Sequence, residues 1–204
     1  AYFGSFDSTG KKRYVEATYE HNNLFPVRGK SCSSEAMPFV ARKFTSYVAF
    51  AQATLPEIYT QQCLDDAYRV EANLLESGIL LNDGRGSFTF KALPHVAQIA
   101  PTFGIVAEDF DADGKIDLVL AQNFYWPQPE TGRMGGGLGQ YLRGNGDGSF
   151  KPIKPKQSGI VVPEDARSLV ATDLDDDGRL DLAFGLNDGP LTLFFRQDDQ
   201  ASPE

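Results

Sequence analysis

Histidine is nearly absent from this chain. His21 and His95 are the only two in 204 residues, and neither belongs to an HExxH-type pair, so zinc-hydrolase chemistry lacks its ligands. No Gly-x-Ser-x-Gly turn is present to raise a serine nucleophile. Gly29-Lys30-Ser31 echoes the end of a phosphate loop, but Leu24 stands where the first glycine is required. No apolar run reaches the length of about 18 residues that a membrane-spanning helix needs. Positive charge is short as well. The net charge of −9 argues against a nucleic-acid partner, whose phosphates would be repelled. With these motifs missing, the expectation is a protein that is not an enzyme.

Cysteine is limited to Cys32 and Cys63, in one segment. They could be bridged or free, and two thiols do not fix a redox compartment. The chain opens at Ala1 without a leader and reads as a processed or excised piece, so the missing leader says little about compartment. What is present suits a packed domain: 41% hydrophobic and 12% aromatic residues are far from a disordered composition.

Much of the acidity falls in two loops. Asp109-Phe110-Asp111-Ala112-Asp113-Gly114-Lys115-Ile116-Asp117 recurs 64 residues later as Asp173-Leu174-Asp175-Asp176-Asp177-Gly178-Arg179-Leu180-Asp181. Each copy places carboxylates at positions 1, 3, 5 and 9 and glycine at position 6. Alternate residues of a tight loop can all turn inward and supply the 6–8 oxygens that Ca2+ takes. Glycine accepts the positive φ of the sharp turn. The predicted metal ligands are Asp109, Asp111, Asp113 and Asp117 in one site and Asp173, Asp175, Asp177 and Asp181 in the other. The position-7 carbonyls of Lys115 and Arg179 complete each set, their side chains pointing to water. Four carboxylates held together without a cation would repel one another. Magnesium fits less well, since it prefers few carboxylates and retained waters. Position 12 is Leu120 or Phe184, not glutamate, and strands are expected on both sides, so these are not EF-hands.

A second pair of turns repeats at nearly the same period. Gly84, Gly86, Ser87 and Phe88 map onto Gly146, Gly148, Ser149 and Phe150 at an offset of 62. Ile105-Val106-Ala107 matches Leu169-Val170-Ala171, and Leu118-Val119-Leu120 matches Leu182-Ala183-Phe184. Short apolar runs bounded by turns read as strands buried on both faces. Internal duplication of strand, acidic loop, strand, connection, strand, turn and strand, at about 60 residues per copy, predicts propeller blades. The fold class expected is mainly β: about three blades in an incomplete ring, with a small helical insertion.

The chain divides accordingly. Residues 1–30 hold a worn copy of the loop, with Ser5, Asp7 and Thr9 at the ligand positions and Arg13 at the ninth, expected to keep its hairpin without metal. Residues 31–77 read as an insertion of two to four short helices. Thr54-Leu55-Pro56-Glu57 is a capping box, Leu64, Ala67, Tyr68 and Glu71 continue at helical spacing, and Ser77-Gly78 ends the run. Phe39, Phe44, Tyr47, Phe50, Tyr59 and Tyr68 are expected to pack on a neighbouring sheet. Residues 78–197 carry the two repeats, and 198–204 form a polar tail. Between Asn123 and Leu138 lies a long connection, where Tyr125, Trp126, Glu130 and Arg133 are candidates for ligand or partner contact.

The paired Asp-x-Asp-x-Asp-Gly-x-x-Asp loops, with the Asn82-Asp83-Gly84 and Gly144-Asn145-Gly146 turns, resemble the FG-GAP/VCBS repeat family. Its members include the integrin α-subunit propeller and bacterial VCBS repeat-containing proteins. The resemblance covers 78–196 well and 1–30 weakly, and leaves the helical stretch without a counterpart. It implies calcium in both loops and an extracellular, cell-surface or periplasmic setting. The expected role is a calcium-binding interaction scaffold with a protein or glycan partner. The alternatives are a carbohydrate-binding or hydrolytic propeller with its site near 124–133, or a fragment of a larger protein whose activity lies elsewhere. Open blade edges would favour self-association.

Overall fold

The structure is a computed structural model that describes residues 1–128 and 131–197. It is mainly β, with 35% strand and 18% helix in several small antiparallel sheets, none of them closed. The chain forms two compact units, Ala1–Leu74 and Leu75 onward. Among the described residues, no helix is long and apolar enough to cross a membrane.

The first unit is built on the worn loop. Strands β1 (Tyr2–Ser5) and β2 (Lys12–Val15) pair in register from Tyr2↔Val15 to Ser5↔Lys12. The turn between them holds its shape by hydrogen bonds. The Asp7 Oδ1 accepts from Thr9 N–H at 2.9 Å and from its hydroxyl at 2.5 Å, which depresses the Asp7 pKa. Arg13, at the ninth position, leaves the loop and donates to the Ala36 carbonyl at 3.2 Å. Strands β3 (Ala17–Glu20) and β4 (Asn23–Pro26) form a second hairpin.

Five short helices follow: α1 (Lys30–Ala36), α2 (Phe39–Lys43), α3 (Tyr47–Gln52), α4 (Leu55–Tyr59) and α5 (Gln61–Asp65). The capping box at α4 is formed, with the Glu57 carboxylate accepting from both the Thr54 N–H and its hydroxyl at 2.7 Å. The helical spacing beyond Leu64 is not realised. Instead α5 stops at Asp65 and Tyr68–Arg69 becomes β5, paired with the free edge of β1. A single helical turn is marginal on its own, whereas this segment satisfies the exposed groups of a sheet edge. Val70 joins in, its carbonyl accepting from the Ala1 amino group at 2.7 Å and its N–H donating to the Ala1 carbonyl.

The hairpins and helices share one core, in which Tyr2, Phe6 and Val15 meet Val40, Leu55, Ile58 and Tyr59. The boundary expected near residue 30 is therefore not a domain boundary, because neither part could cover its apolar face alone. Of the six aromatics, Phe50 and Tyr59 are buried and Phe39 and Phe44 lie against the core. Tyr47 and Tyr68 are exposed, contrary to expectation. Cys32 and Cys63 are free thiols.

In the second unit, β6 (Gly78–Asn82) and β7 (Phe88–Ala92) form a hairpin. Strands β8 (Thr102–Glu108), β9 (Asp117–Gln122), β10 (Gln140–Gly144) and β11 (Phe150–Ile153) form a four-stranded antiparallel meander. After α6 (Pro155–Ser158), strands β12 (Ala166–Thr172), β13 (Asp181–Leu186) and β14 (Thr192–Phe194) form a three-stranded sheet. Strand β9 is buried along its whole length, as its unbroken apolar run predicts. On one face Leu118, Leu120 and Leu142 pack with Leu93 and Ala97. On the other, Val119 and Ala121 pack with Val162, Leu182 and Phe184. The second contact is close at Gly104, where a Cβ would stand 2.9 Å from the Leu169 nitrogen.

Candidate metal centre

Each acidic loop joins the first two strands of its sheet. The two share the same backbone hydrogen bonds. The Asp109 carboxylate accepts from Asp113 N–H at 3.1 Å and Gly114 N–H at 2.9 Å. The Asp173 carboxylate accepts from Asp177 N–H at 3.1 Å and Gly178 N–H at 2.8 Å. Gly114 and Gly178 have φ of +82° and +84°, as the position-6 glycines require. The fourth position is also left-handed, at Ala112 (+59°) and Asp176 (+60°). Sequence reading gave no sign of this, since alanine rarely takes that conformation.

Three carboxylates come together in each loop, their oxygens within 4.8 Å of one another: Asp109, Asp111 and Asp117 in the first, and Asp173, Asp175 and Asp177 in the second. The predicted set of four is therefore met by three in each loop, with a different member left out. In the first loop Asp113 turns to the Lys115 ammonium at 3.1 Å, which holds its carboxyl below the ordinary value. In the second, the member left out is Asp181. The prediction that the Lys115 and Arg179 side chains point to water is corrected. Lys115 folds onto Asp113 and Arg179 onto Asp177, because a flexible cation gains more beside a carboxylate than in solvent. The Arg179 contact depresses the Asp177 pKa.

The ninth-position aspartates do more than complete a ring of acids. Asp117 and Asp181 are 0% and 1% exposed. The Asp117 Oδ2 accepts from Phe110 N–H at 3.2 Å and from the Tyr141 hydroxyl at 2.7 Å, while its Oδ1 accepts from Gly144 N–H at 2.7 Å. Asp181 repeats this with Leu174 N–H and Arg196 N–H, each at 2.9 Å. Each carboxylate thus ties its loop to the third strand of the sheet. Burial and the bond to Asp117 together push the Tyr141 hydroxyl pKa upward.

Two residues of the site were not visible in the motif. Tyr141 and Arg143 reach the first loop from β10, with the Arg143 Nε 2.5 Å from Asp111 and its terminal nitrogen 3.8 Å from Asp113. In the second loop, desolvation followed by repulsion from Asp177 and Asp181 raises the Asp175 pKa.

These shifts fix a pH response for the metal-free protein. Asp7, Glu57, Asp83, Asp113, Asp147, Asp165 and Asp177 all have depressed pKa values, so the stability they contribute is present above the ordinary carboxylate range and is lost as pH falls through it. Asp175 acts in the opposite sense, its ionisation costing stability as pH rises through its raised value. The expected outcome is a urea midpoint that falls steadily between about pH 5 and pH 3. A midpoint that is constant or rises over that range would contradict the assignment.

The other candidate site is arranged differently from expectation. Tyr125 and Arg133 face each other, the guanidinium 3.5 Å from the ring centroid, and the Tyr125 hydroxyl donates to the Pro163 carbonyl. Trp126 is 75% exposed. Glu130 lies outside the described residues. Tyr125 and Arg133 are thus engaged with the protein, and the connection is pinned from beneath. The two N–H groups of the Asn123 amide are shared among the Gly137, Pro163 and Glu164 carbonyls, each 2.9 Å from the nitrogen, and its oxygen accepts from Gly137 N–H at 2.7 Å. The Arg167 guanidinium lies 4.0 Å from the Phe103 ring and 4.5 Å from the Phe124 ring, with its Nε 2.8 Å from buried Asp165. Burial alone would raise the Asp165 pKa, but hydrogen bonds from Asn187 and Arg167 outweigh it and the net shift is downward.

The sequence matches no protein-family model, and comparison with curated proteins and with solved structures gives no match.

Proposed function

We propose that the second unit is a calcium-stabilised segment of FG-GAP/VCBS-type propeller blades and that the chain acts as a non-enzymatic interaction scaffold. The observation that carries this reading is the correspondence of the two loops. The same hydrogen bonds, the same left-handed fourth and sixth positions and the same buried ninth carboxylate recur 64 residues apart. The donor set is made of hard carboxylate oxygens, which suit calcium better than a soft or nitrogen-seeking metal. Asp109, Asp111 and Asp117 would hold one ion, and Asp173, Asp175 and Asp177 the other. A bound ion would neutralise each group of acids and fasten the first strand of the sheet to the second.

Packing supports the same reading. Leu93, beside the β6–β7 hairpin, and Phe184 of β13 pack against opposite faces of strand β9, as consecutive blades would. Exposed Trp126 and the open sheet edges are where a protein or glycan partner, or a second copy, would be met. An extracellular or periplasmic setting follows from the family resemblance and is part of the proposal. The test is metal counting after equilibrium dialysis. Asp111→Ala and Asp175→Ala should each remove about one calcium equivalent from a wild type that holds two at saturation. A tight site untouched by both changes would refute the assignment.

A further inference from the structure

The two loops differ in what the third strand of each sheet brings to them, which their own sequences do not reveal. Strand pairing puts Leu142 opposite Leu118 and Phe194 opposite Leu182. Gly144 N–H and Arg196 N–H then make the equivalent bonds to Asp117 and Asp181. The residue before each is Arg143 in the first sheet and Phe195 in the second. Arg143 contacts Asp111 at 2.5 Å and approaches Asp113 at 3.8 Å. Phe195, 48% exposed, brings no charge to Asp175, whose near neighbours include Asp173, Asp177 and Asp181. Next to Arg143, Tyr141 donates to Asp117, where Leu193 takes the equivalent place. Among the described residues, the other cations paired with loop carboxylates do not separate the loops in this way. Lys115 and Arg179 occupy the same position in each and neutralise Asp113 and Asp177, and Arg196 also bears on Asp177.

We propose that Arg143 is the built-in counter-cation of the loop 109–117, so that this loop is ordered without metal and binds a divalent cation weakly, whereas the loop 173–181 depends on the metal and binds it tightly. This rests on the calcium reading for its second half only. A guanidinium on Asp111 competes with a divalent ion for the same oxygen and repels it. In a half-exposed setting that is worth about tenfold in affinity.

The experiment has two arms. In chelator, amide hydrogen exchange should be slower at Asp113 and Gly114 than at Asp177 and Gly178, whose N–H groups make the corresponding bonds. Arg143→Ala should speed exchange about two- to fivefold at the first pair alone, and Arg143→Lys should retain most of the protection. In calorimetric titration with calcium, the wild type should show two affinities about tenfold apart, which Arg143→Ala brings together and Phe195→Arg weakens at the tighter site. Equal exchange in both loops, or exchange unmoved by Arg143→Ala, overturns the proposal. So do two equal calcium sites in the wild type. If no calcium binds at all, the calcium reading fails and the exchange arm alone decides the role of Arg143.

Discussion

Asp117→Ala is expected to destabilise the second unit by about 3–5 kcal/mol in the absence of any metal, and Asp181→Ala by about 2 kcal/mol, because each leaves buried or part-buried donors without an acceptor at roughly 1–3 kcal/mol apiece. Asp117 serves Phe110 N–H, Gly144 N–H and the Tyr141 hydroxyl, and Asp181 serves Leu174 N–H and Arg196 N–H. One opposing effect must be weighed. Removing a buried negative charge also removes its desolvation cost. The hydrogen bonds offset that cost while the carboxylate is present, and the donors it leaves behind keep theirs, so the lost bonds win. Asp111→Ala is the control. Its partner Arg143 is half exposed, and such ion pairs contribute about 0–1 kcal/mol. Urea unfolding in chelator should therefore rank Asp117 well above Asp111. A loss under about 1 kcal/mol at Asp117 would mean that its bonds are replaced by water.

Asn123→Ala should cost about 3 kcal/mol, through four amide hydrogen bonds and a left-handed backbone. Asn123 has φ of +91°, is fully buried, and joins the ends of the 123–138 connection to the Pro163–Glu164 segment. Alanine can neither make the bonds nor favour the conformation. Asn123→Asp keeps the acceptor, loses both N–H donors and sets a carboxylate against three carbonyls, so it should fall no less. Limited proteolysis would report the same event locally, with new cleavage between Phe124 and Met134. A variant as stable and as resistant as the wild type would show that the Phe124–Met134 bridge and the Arg167 stack hold the connection without it.

The acidic loops were legible because their geometry is local. Alternation of aspartates and a glycine at the turn are both short-range properties; of the flanking apolar runs read as buried on both faces, β9 and most of β13 are so, whereas β8 and β12 alternate between half-buried and exposed residues. Arg143 and Tyr141 were not legible, since they join the loop through the pairing of β9 with β10 across the 123–138 connection. The roles of Asp117 and Asp181 were half read. Their type and position suggested ligands, but nothing in the sequence showed that backbone N–H groups of a third strand would share their oxygens. Tyr68 was misread for a different reason. Helical spacing is a weak preference, and an unsatisfied edge on β1 outweighed it. Tyr125 and Arg133 were candidates for ligand contact on a connection that could equally be a structured crossover. The folded connection uses each to hold the other.

The measurement that bears most directly on the calcium account is thermal unfolding of the whole chain in excess calcium and in chelator. Calcium at a hundredfold excess over its dissociation constant adds about 2.7 kcal/mol per occupied site, which for a unit of this size raises the melting midpoint by about 10 °C per site. The predicted result is a rise of that size in the transition of the second unit. The transition of the first should stay fixed, since its loop keeps only Asp7 and closes on Thr9. Coincident curves in calcium and chelator, with no metal retained by the protein, would contradict the account.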